Sequence, residues 1–113
     1  MTKSLTNINV LDFSHALSGP FCSMLLAELG AKIIKIEPPH GDHFRPANGG
    51  ATFAVVNRNK RSLCLDLKQP SASVIIERLI SKCDVIVENF TPGTMKRLGY
   101  HYEAIKKMKP DII

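Results

Sequence analysis

The apolar positions of the chain follow two alternating patterns that predict strands and helices in turn. Short runs rich in β-branched and aromatic residues predict strands over residues 8–13, 32–37, 62–67 and 84–87. Between and after these runs, turn signals and apolar residues spaced three and four apart predict helices over residues 18–29, 51–56, 70–82, 94–98 and 102–108. Residues 110–113 are interpreted as the start of a fifth strand.

Local signals support two of the longer helices. Ser18 is a candidate N-cap of the first helix, Pro20 suits its first turn, and Gly30 is placed to end it. Phe21, Leu25 and Leu29, with Cys22 and Leu26 beside them, form its apolar repeat. In the helix over residues 70–82 the predicted apolar stripe consists of Ile75, Ile76, Leu79 and Ile80.

This alternation predicts an α/β fold, a Rossmann-like open parallel sheet with flanking helices. Ligands of such sheets bind at the carboxyl ends of the strands, where loops lead into helices. The predicted ends fall at residues 14–18, 37–39, 67–68 and 89–90. We therefore expect the functional residues of the chain in these four segments.

Length and cysteine usage narrow the class of protein. The chain of 113 residues suffices for one domain with a single core. It contains no apolar run near the ~20 residues that a membrane span needs and no secretory signal, so we predict a cytoplasmic location and no membrane partner. The cysteines at positions 22, 64 and 83 form no CxxC pair, and we expect them to be reduced, buried and unreactive.

The charge balance favours an anionic partner. Fifteen Lys and Arg side chains against ten Asp and Glu give a net charge of +5. Arg58, Lys60 and Arg61 could pair with phosphate, but solvated charges flanking a strand are the better interpretation of these residues alone. The carboxylates form no evident catalytic pair, no metal-ligand pattern is found, and the G-x-G-x-x-G fingerprint is absent.

The stretch DVIVENFTPGTMKRLG, residues 84–99, carries the clearest candidate chemistry. Asn89 and Phe90 follow a predicted strand and could present an amide and an aromatic face to a nucleobase. Lys96 and Arg97 come shortly after them and could contact the phosphates of the same nucleotide. The alternative is that Phe90 belongs to the core, which is the more common place for a single aromatic residue. His15 similarly lies where the first strand becomes a helix, at an end suited to anions.

Three segments together resemble the N-terminal part of the family III CoA-transferases. They are VLDFSHALSGPFCSMLLAELGAKIIKIEPP, NRNKRSLCLDLK and DVIVENFTPGTMKRLG, in that order along the chain. The resemblance implies that residues 1–113 are the N-terminal part of a CoA-binding α/β domain, with coenzyme A as ligand and no metal. It assigns the CoA contacts to Leu17, Ser18, Leu65, Asp66, Leu67, Lys68, Asn89, Phe90, Thr91 and Arg97.

The same resemblance implies an activity and an assembly. Family enzymes transfer CoA from an acyl-CoA to a carboxylic acid through an aspartyl-CoA thioester, and their aspartate nucleophile lies beyond the position of Ile113. The resemblance also implies an interlocked homodimer, no nucleic-acid partner, and no catalysis by these 113 residues alone. Leu17 and Pro38 replace a glutamine and an arginine of the formyl-CoA transferase branch, which argues against oxalate and formate as substrates.

Two other functions remain open at the level of sequence. The α-methylacyl-CoA racemases are relatives with a similar GPFC helix and a similar KRSLxLDLKQP strand, and they act by proton transfer next to the thioester. A basic α/β module that binds a nucleotide or nucleic acid without catalysis is the alternative of another class. Such a module needs aromatic side chains between its cations, and only Phe53 and Phe90 are close to them.

Overall fold

A computed structural model of the chain describes residues 2–113, and it confirms the predicted open parallel sheet. Four strands, β1 to β4, lie in the order β3-β2-β1-β4, and every neighbouring pair is parallel. The strands are β1 (Asn9–Asp12), β2 (Lys32–Glu37), β3 (Lys60–Cys64) and β4 (Val85–Val87). Five α-helices follow or connect them: α1 (Ser18–Glu28), α2 (Ala51–Asn57), α3 (Ala72–Ile80), α4 (Thr94–Leu98) and α5 (Tyr102–Met108).

Two boundaries differ from the sequence prediction. β3 begins and ends earlier than the predicted residues 62–67, because its pairing with β2 runs from Lys60 to Cys64 and β2 itself ends at Glu37. Residues 110–113 contain no assigned strand, but Ile113 already accepts a hydrogen bond from the N–H of Ile86 (2.8 Å) and donates one to the carbonyl of Asp84 (3.1 Å). Parallel pairing next to β4 therefore begins at this residue.

The core has two parts, one on each face of the sheet. On one face, Leu11, Phe13 and Ile36 pack with α3, α4 and α5. On the other face, Val10 and Ile33 pack with Ala27 of α1 and Ala31. Successive residues of a strand point to opposite faces, so the neighbouring Val10 and Leu11 of β1 contribute to different parts of the core.

The apolar repeat predicted for α1 faces away from the sheet. Phe21, Leu25 and Leu29 are each about half exposed, whereas the helix buries Gly19, Pro20, Ser23, Met24 and Ala27 against the strands. Small residues allow the helix to approach the sheet closely: a Cβ at Gly19 would lie 2.2 Å from the Cβ of Ser14. In α3, Ile76 and Ile80 are fully buried as predicted, but Ile75 is 43% exposed.

Other local predictions also need correction. Leu17, not Ser18, occupies the N-cap position of α1, and it makes no side-chain capping bond. Of the three cysteines, only Cys83 is buried, and burial raises the pKa of its thiol to about 11; Cys22 and Cys64 are exposed. All three are free thiols. None of the helices formed by residues 2–113 has the length and apolarity to cross a bilayer.

Two buried ion pairs lie at the carboxyl end of the sheet, and the sequence prediction missed both. Lys60 contacts Asp12 at 3.1 Å, and Lys35 contacts Asp42 at 3.0 Å, with all four side chains 2% exposed or less. Lys60 also donates to the carbonyl of Pro20 (2.9 Å) and to the side-chain oxygen of Asn57 (2.9 Å). Lys60 is therefore neither a solvated charge nor a phosphate contact, which corrects the interpretation of the segment 57–62.

The pairing of Lys60 with Asp12 leads to a stability prediction. Lys60→Met removes the buried cation and leaves the Asp12 carboxylate uncompensated, so we expect the free energy of unfolding to fall by about 3–5 kcal/mol. Arg58→Met is the matched control two residues away, since the Arg58–Glu28 pair (2.7 Å) is largely exposed and its loss should cost below about 1 kcal/mol. Urea denaturation measures both variants, and equal losses would contradict a special role for the buried pair.

Candidate functional site

A cleft lies where the sequence places it, at the carboxyl ends of the strands. It has a volume of about 290 Å³ and receives residues from the ends of β1, β2 and β3 and from the segment after β4. Five of the predicted CoA contacts line it: Leu65, Asp66, Leu67, Lys68 and Phe90. The four strand ends thus meet around one shared space.

A second groove of about 570 Å³ adjoins the cleft. The two spaces share Leu67, Lys68, Thr94 and Leu98, and the groove adds Arg97 from α4. Arg97 is exposed, and the contact that fixes it is a 2.8 Å hydrogen bond to the hydroxyl of Thr94. An apolar cleft with an exposed Arg and Lys at its side can accommodate an extended ligand with an aromatic or aliphatic part and a phosphate part.

Asn89 has a different position from the one expected. Its side chain does not line the cleft; it holds the loop between β1 and α1 by accepting from the backbone N–H of His15 (3.0 Å) and donating to the carbonyl of the same residue (2.8 Å). It also donates to the Ser18 hydroxyl at 3.4 Å. Because both ends of its amide are occupied by the loop, Asn89 acts as a positioning residue in this structure.

The remaining predicted contacts, Leu17, Ser18 and Thr91, do not line the cleft. Leu17 is 53% exposed at the start of α1, next to Ser18, and Thr91 is exposed after Phe90. Phe90 is half-buried and packs against the larger core cluster while it lines the cleft. Both interpretations of Phe90, as a site residue and as a core residue, therefore describe part of its surroundings.

The long loop 38–50 closes one side of the cleft through a second ion-pair network. Arg45 donates to both carboxylate oxygens of Glu37, at 2.6 and 2.7 Å, and its guanidinium lies 4.1 Å from the ring centre of Phe53. Glu37 also accepts from the Ser62 hydroxyl (2.7 Å) and from the N–H of Asp42 (3.1 Å). Burial alone would raise the pKa of Glu37, but these hydrogen bonds outweigh it and lower the pKa to about 2.

The cleft also contains three histidines that the sequence analysis did not group together. His15, His40 and His43 all line it, although they come from two different loops. The three side chains are close only because both loops lie at the carboxyl edge of the sheet. The pattern of apolar and polar residues, which predicts strands and helices, does not show which loop residues will meet. Within residues 2–113, no group of three or more His, Cys, Asp and Glu side chains is arranged to hold a metal ion.

The fold and the site define an open parallel α/β protein with a ligand-sized cleft at its strand ends. The model of CoA-transferase family III matches residues 5–113, so the chain belongs to this family. It is 45% identical over 120 aligned positions to a formyl-CoA:oxalate CoA-transferase of Bradyrhizobium diazoefficiens, an alignment that covers all of this chain. The chain spans about 28% of the length of that curated relative.

Solved structures agree with the family assignment. The Mycobacterium tuberculosis protein Rv3272 superposes with a TM-score of 0.94 at 36% identity, over 98% of this chain and 31% of that protein. A CaiB/BaiF family protein from Brucella suis superposes with a TM-score of 0.95 at 31% identity, over all of this chain and 32% of that protein. The sheet and its helices are thus those of the matched portion of these proteins.

The Glu37–Arg45 pair yields a prediction about pH. The folded-state pKa of Glu37 lies below its unfolded value of about 4.5, so its contribution to stability is complete above that pH and is lost as pH falls toward 2. Arg45→Met removes the main partner. We expect its loss of unfolding free energy relative to the wild type to be largest above about pH 4.5 and to shrink toward pH 2.

Phe53→Leu is the control for this experiment. It removes the aromatic face under Arg45 but leaves the contact with Glu37, so its effect on stability should not change over the same pH range. Urea titrations at several pH values between 2 and 6 measure both variants. A constant difference between Arg45→Met and the wild type across that range would show that Glu37 does not depend on Arg45.

Proposed function

We propose that this chain forms the CoA-binding N-terminal part of an acyl-CoA:carboxylate CoA-transferase. The observation that carries the proposal is the space at the carboxyl edge that the cleft beside Phe90 and the adjoining groove of Lys68 and Arg97 form side by side. Family membership supports coenzyme A as the ligand that this space accepts. No metal is part of the proposal.

The shape of this space suggests how CoA divides between its parts. The cleft, with Phe13, Leu65 and Phe90 in its walls, suits a base or the aliphatic pantetheine arm, because such ligand parts are bound by apolar and aromatic surface. The groove suits phosphate, because Arg97 and Lys68 present exposed cations there. Leu17, Ser18, Asn89 and Thr91 do not line the cleft, and their assignment as direct contacts stays part of the proposal.

The chemistry of transfer is assigned to an aspartate outside residues 1–113. Its carboxylate attacks the acyl thioester and expels the CoA thiolate, and the thiolate then attacks the resulting anhydride to give an aspartyl-CoA thioester and the free acid. The acceptor acid completes the exchange by the reverse steps. The part played by the present chain is to hold the nucleotide so that the thiol end reaches that aspartate, and we expect the 113 residues alone to catalyse no transfer.

Two of the alternatives are less well supported. The matched curated relatives are named formyl-CoA:oxalate CoA-transferases, which favours transfer over racemisation and makes formate and oxalate candidates for the acids exchanged. The replacements at Leu17 and Pro38 are the observation that argues against these two acids. Nucleic-acid binding would use the cations of residues 57–62, but Lys60 is buried and Arg58 contacts Glu28. The interlocked homodimer remains a prediction of the family resemblance.

Arg97 provides the direct test of the groove. Arg97→Ala removes a charge-assisted hydrogen bond to phosphate, typically worth ~1.5–3 kcal/mol, so CoA affinity should fall by about one to two decades. Lys96→Ala is the matched control, because Lys96 is an exposed neighbouring cation that does not line the groove. Calorimetric titration with CoA measures both variants of the complete gene product, and an equal loss in both would remove Arg97 from the site.

Phe90 tests the cleft separately. Phe90→Leu keeps aliphatic packing on the core, so the loss of unfolding free energy should stay below about 1.5 kcal/mol. The same change removes the aromatic face, and CoA affinity should fall by about fivefold or more if a base stacks there. Melting curves and CoA titrations separate the two effects; lost stability with unchanged affinity would make Phe90 a core residue only.

A further inference from the structure

Two imidazoles meet inside the cleft, and none of the predicted contacts accounts for them. The ring centres of His15 and His43 are 4.9 Å apart, with an angle of 65° between the ring planes. The ring of His15 also lies 5.2 Å from the ring of Phe90. Both histidines line the cleft, so the pair forms part of the surface that a ligand would contact.

The surrounding structure fixes the backbone on both sides of this pair. His15 has its N–H and its carbonyl bound to the side chain of Asn89. His43 lies between Asp42, which pairs with the buried Lys35, and Phe44, whose N–H binds the Asp42 carboxylate at 2.9 Å. The two loops follow different strands, and these contacts fix the position of each loop. The close approach of the two rings is therefore a consequence of the fold.

The ring nitrogens of the pair remain available for a ligand. The hydrogen bonds formed among residues 2–113 include none from either imidazole, although the backbone of His15 is bonded to Asn89. An imidazole can donate one N–H when neutral and two when protonated. The pair can therefore offer two or more donors to an anion in the cleft.

The electrostatic surroundings of His15 disfavour its charged form. Burial lowers the pKa of His15, and the nearby His43 and Lys35 lower it further, against an opposing effect of Asp42. The other titratable groups that line the cleft come from β2, the long loop and the segment after β3: Glu37, His40, Asp66 and Lys68. The carboxylates of Glu37 and Asp42 are already paired, with Arg45 and Lys35.

We propose that His15 and His43 together bind a phosphate group of the CoA nucleotide, and that the pair takes up a proton when this ligand binds. The inference rests on the proposed CoA site and adds a contact and a proton linkage to it. A phosphate beside the rings favours the charged imidazole, whereas two imidazolium ions this close repel each other. The pair should therefore take up about one proton, which it shares as a coupled unit.

This linkage has a defined sign. Contact with a phosphate favours the charged imidazole, so the complex holds the proton to a higher pH than the free protein does, and binding strengthens as pH falls through that range. Over about pH 8 to 6, where histidines titrate, CoA affinity should rise by about three- to tenfold. A histidine without contact to the ligand would produce no such dependence.

Calorimetry of the complete gene product tests the inference. Titrations in two buffers of different ionisation enthalpy give the number of protons taken up. CoA, dephospho-CoA and pantetheine serve as the probes, because the phosphomonoester of CoA itself titrates near pH 6 and dephospho-CoA lacks that group. His43→Phe keeps an aromatic ring against His15 but cannot bind a proton. His101→Asn is the matched control, since His101 is the N-cap residue of α5, outside the cleft, and Asn suits that position.

We expect CoA or dephospho-CoA to bind with proton uptake that His43→Phe reduces, because only His15 remains to take up the proton, and that His101→Asn preserves; pantetheine should show no uptake. His15 and His43 signals in an NMR titration with and without ligand provide a second measurement that needs no variant. CoA binding with no uptake, or with uptake unchanged in His43→Phe, would overturn this inference and leave the proposed function standing. Absence of CoA binding to the wild type would overturn both.

Discussion

The buried carboxylate of Asp12 connects several of the elements that form the candidate site. It lies at the end of β1, it is fully buried, and it accepts hydrogen bonds from the N–H and the hydroxyl of Ser14 and from the hydroxyl of Ser23 (2.5 Å). Lys60 at the start of β3 provides its counter-ion. One carboxylate thus joins the first strand, the loop after it, the first helix and the edge strand, and the cleft depends on the mutual placement of these elements.

Buried ion pairs of this kind contribute more to the relative positions of the strand ends than to the free energy of unfolding. Removing two charges from water costs several kcal/mol per ion, and their attraction recovers this only when further hydrogen bonds satisfy the remaining donors and acceptors. Lys60 meets that condition through Pro20 and Asn57, and Lys35 meets it through a 2.6 Å bond to the carbonyl of Ser14. Such pairs tolerate few alternative arrangements, so the strand ends are held in one geometry before any ligand arrives.

The sequence predicted the order and type of the elements because apolar periodicity reflects burial directly. It did not predict which face of α1 is buried, since Phe21, Leu25 and Leu29 are more hydrophobic than the small residues Gly19, Ser23 and Ala27 that the close approach to the sheet requires. It also missed the buried pairs, because Lys60 and Asp12 are 48 residues apart. A signal was present: Lys35 interrupts the apolar strand KIIKIE at a position between buried isoleucines, and a charge there needs a partner.

Contacts between residues that are distant in the sequence also decide which cations of this basic chain are free to contact a ligand. Arg58, Lys60 and Arg61 form the densest cationic run of the sequence. Lys60, however, forms an ion pair with Asp12, and Arg58 forms one with Glu28. Arg61 lies at the other end of β3 from the cleft. Lys68 and Arg97, which stand apart in the sequence, converge beside one groove because their segments follow different strands of a parallel sheet. In an α/β fold, strand topology therefore brings cations from distant segments to one place, which local charge density does not reveal, and the histidines of the cleft follow the same rule.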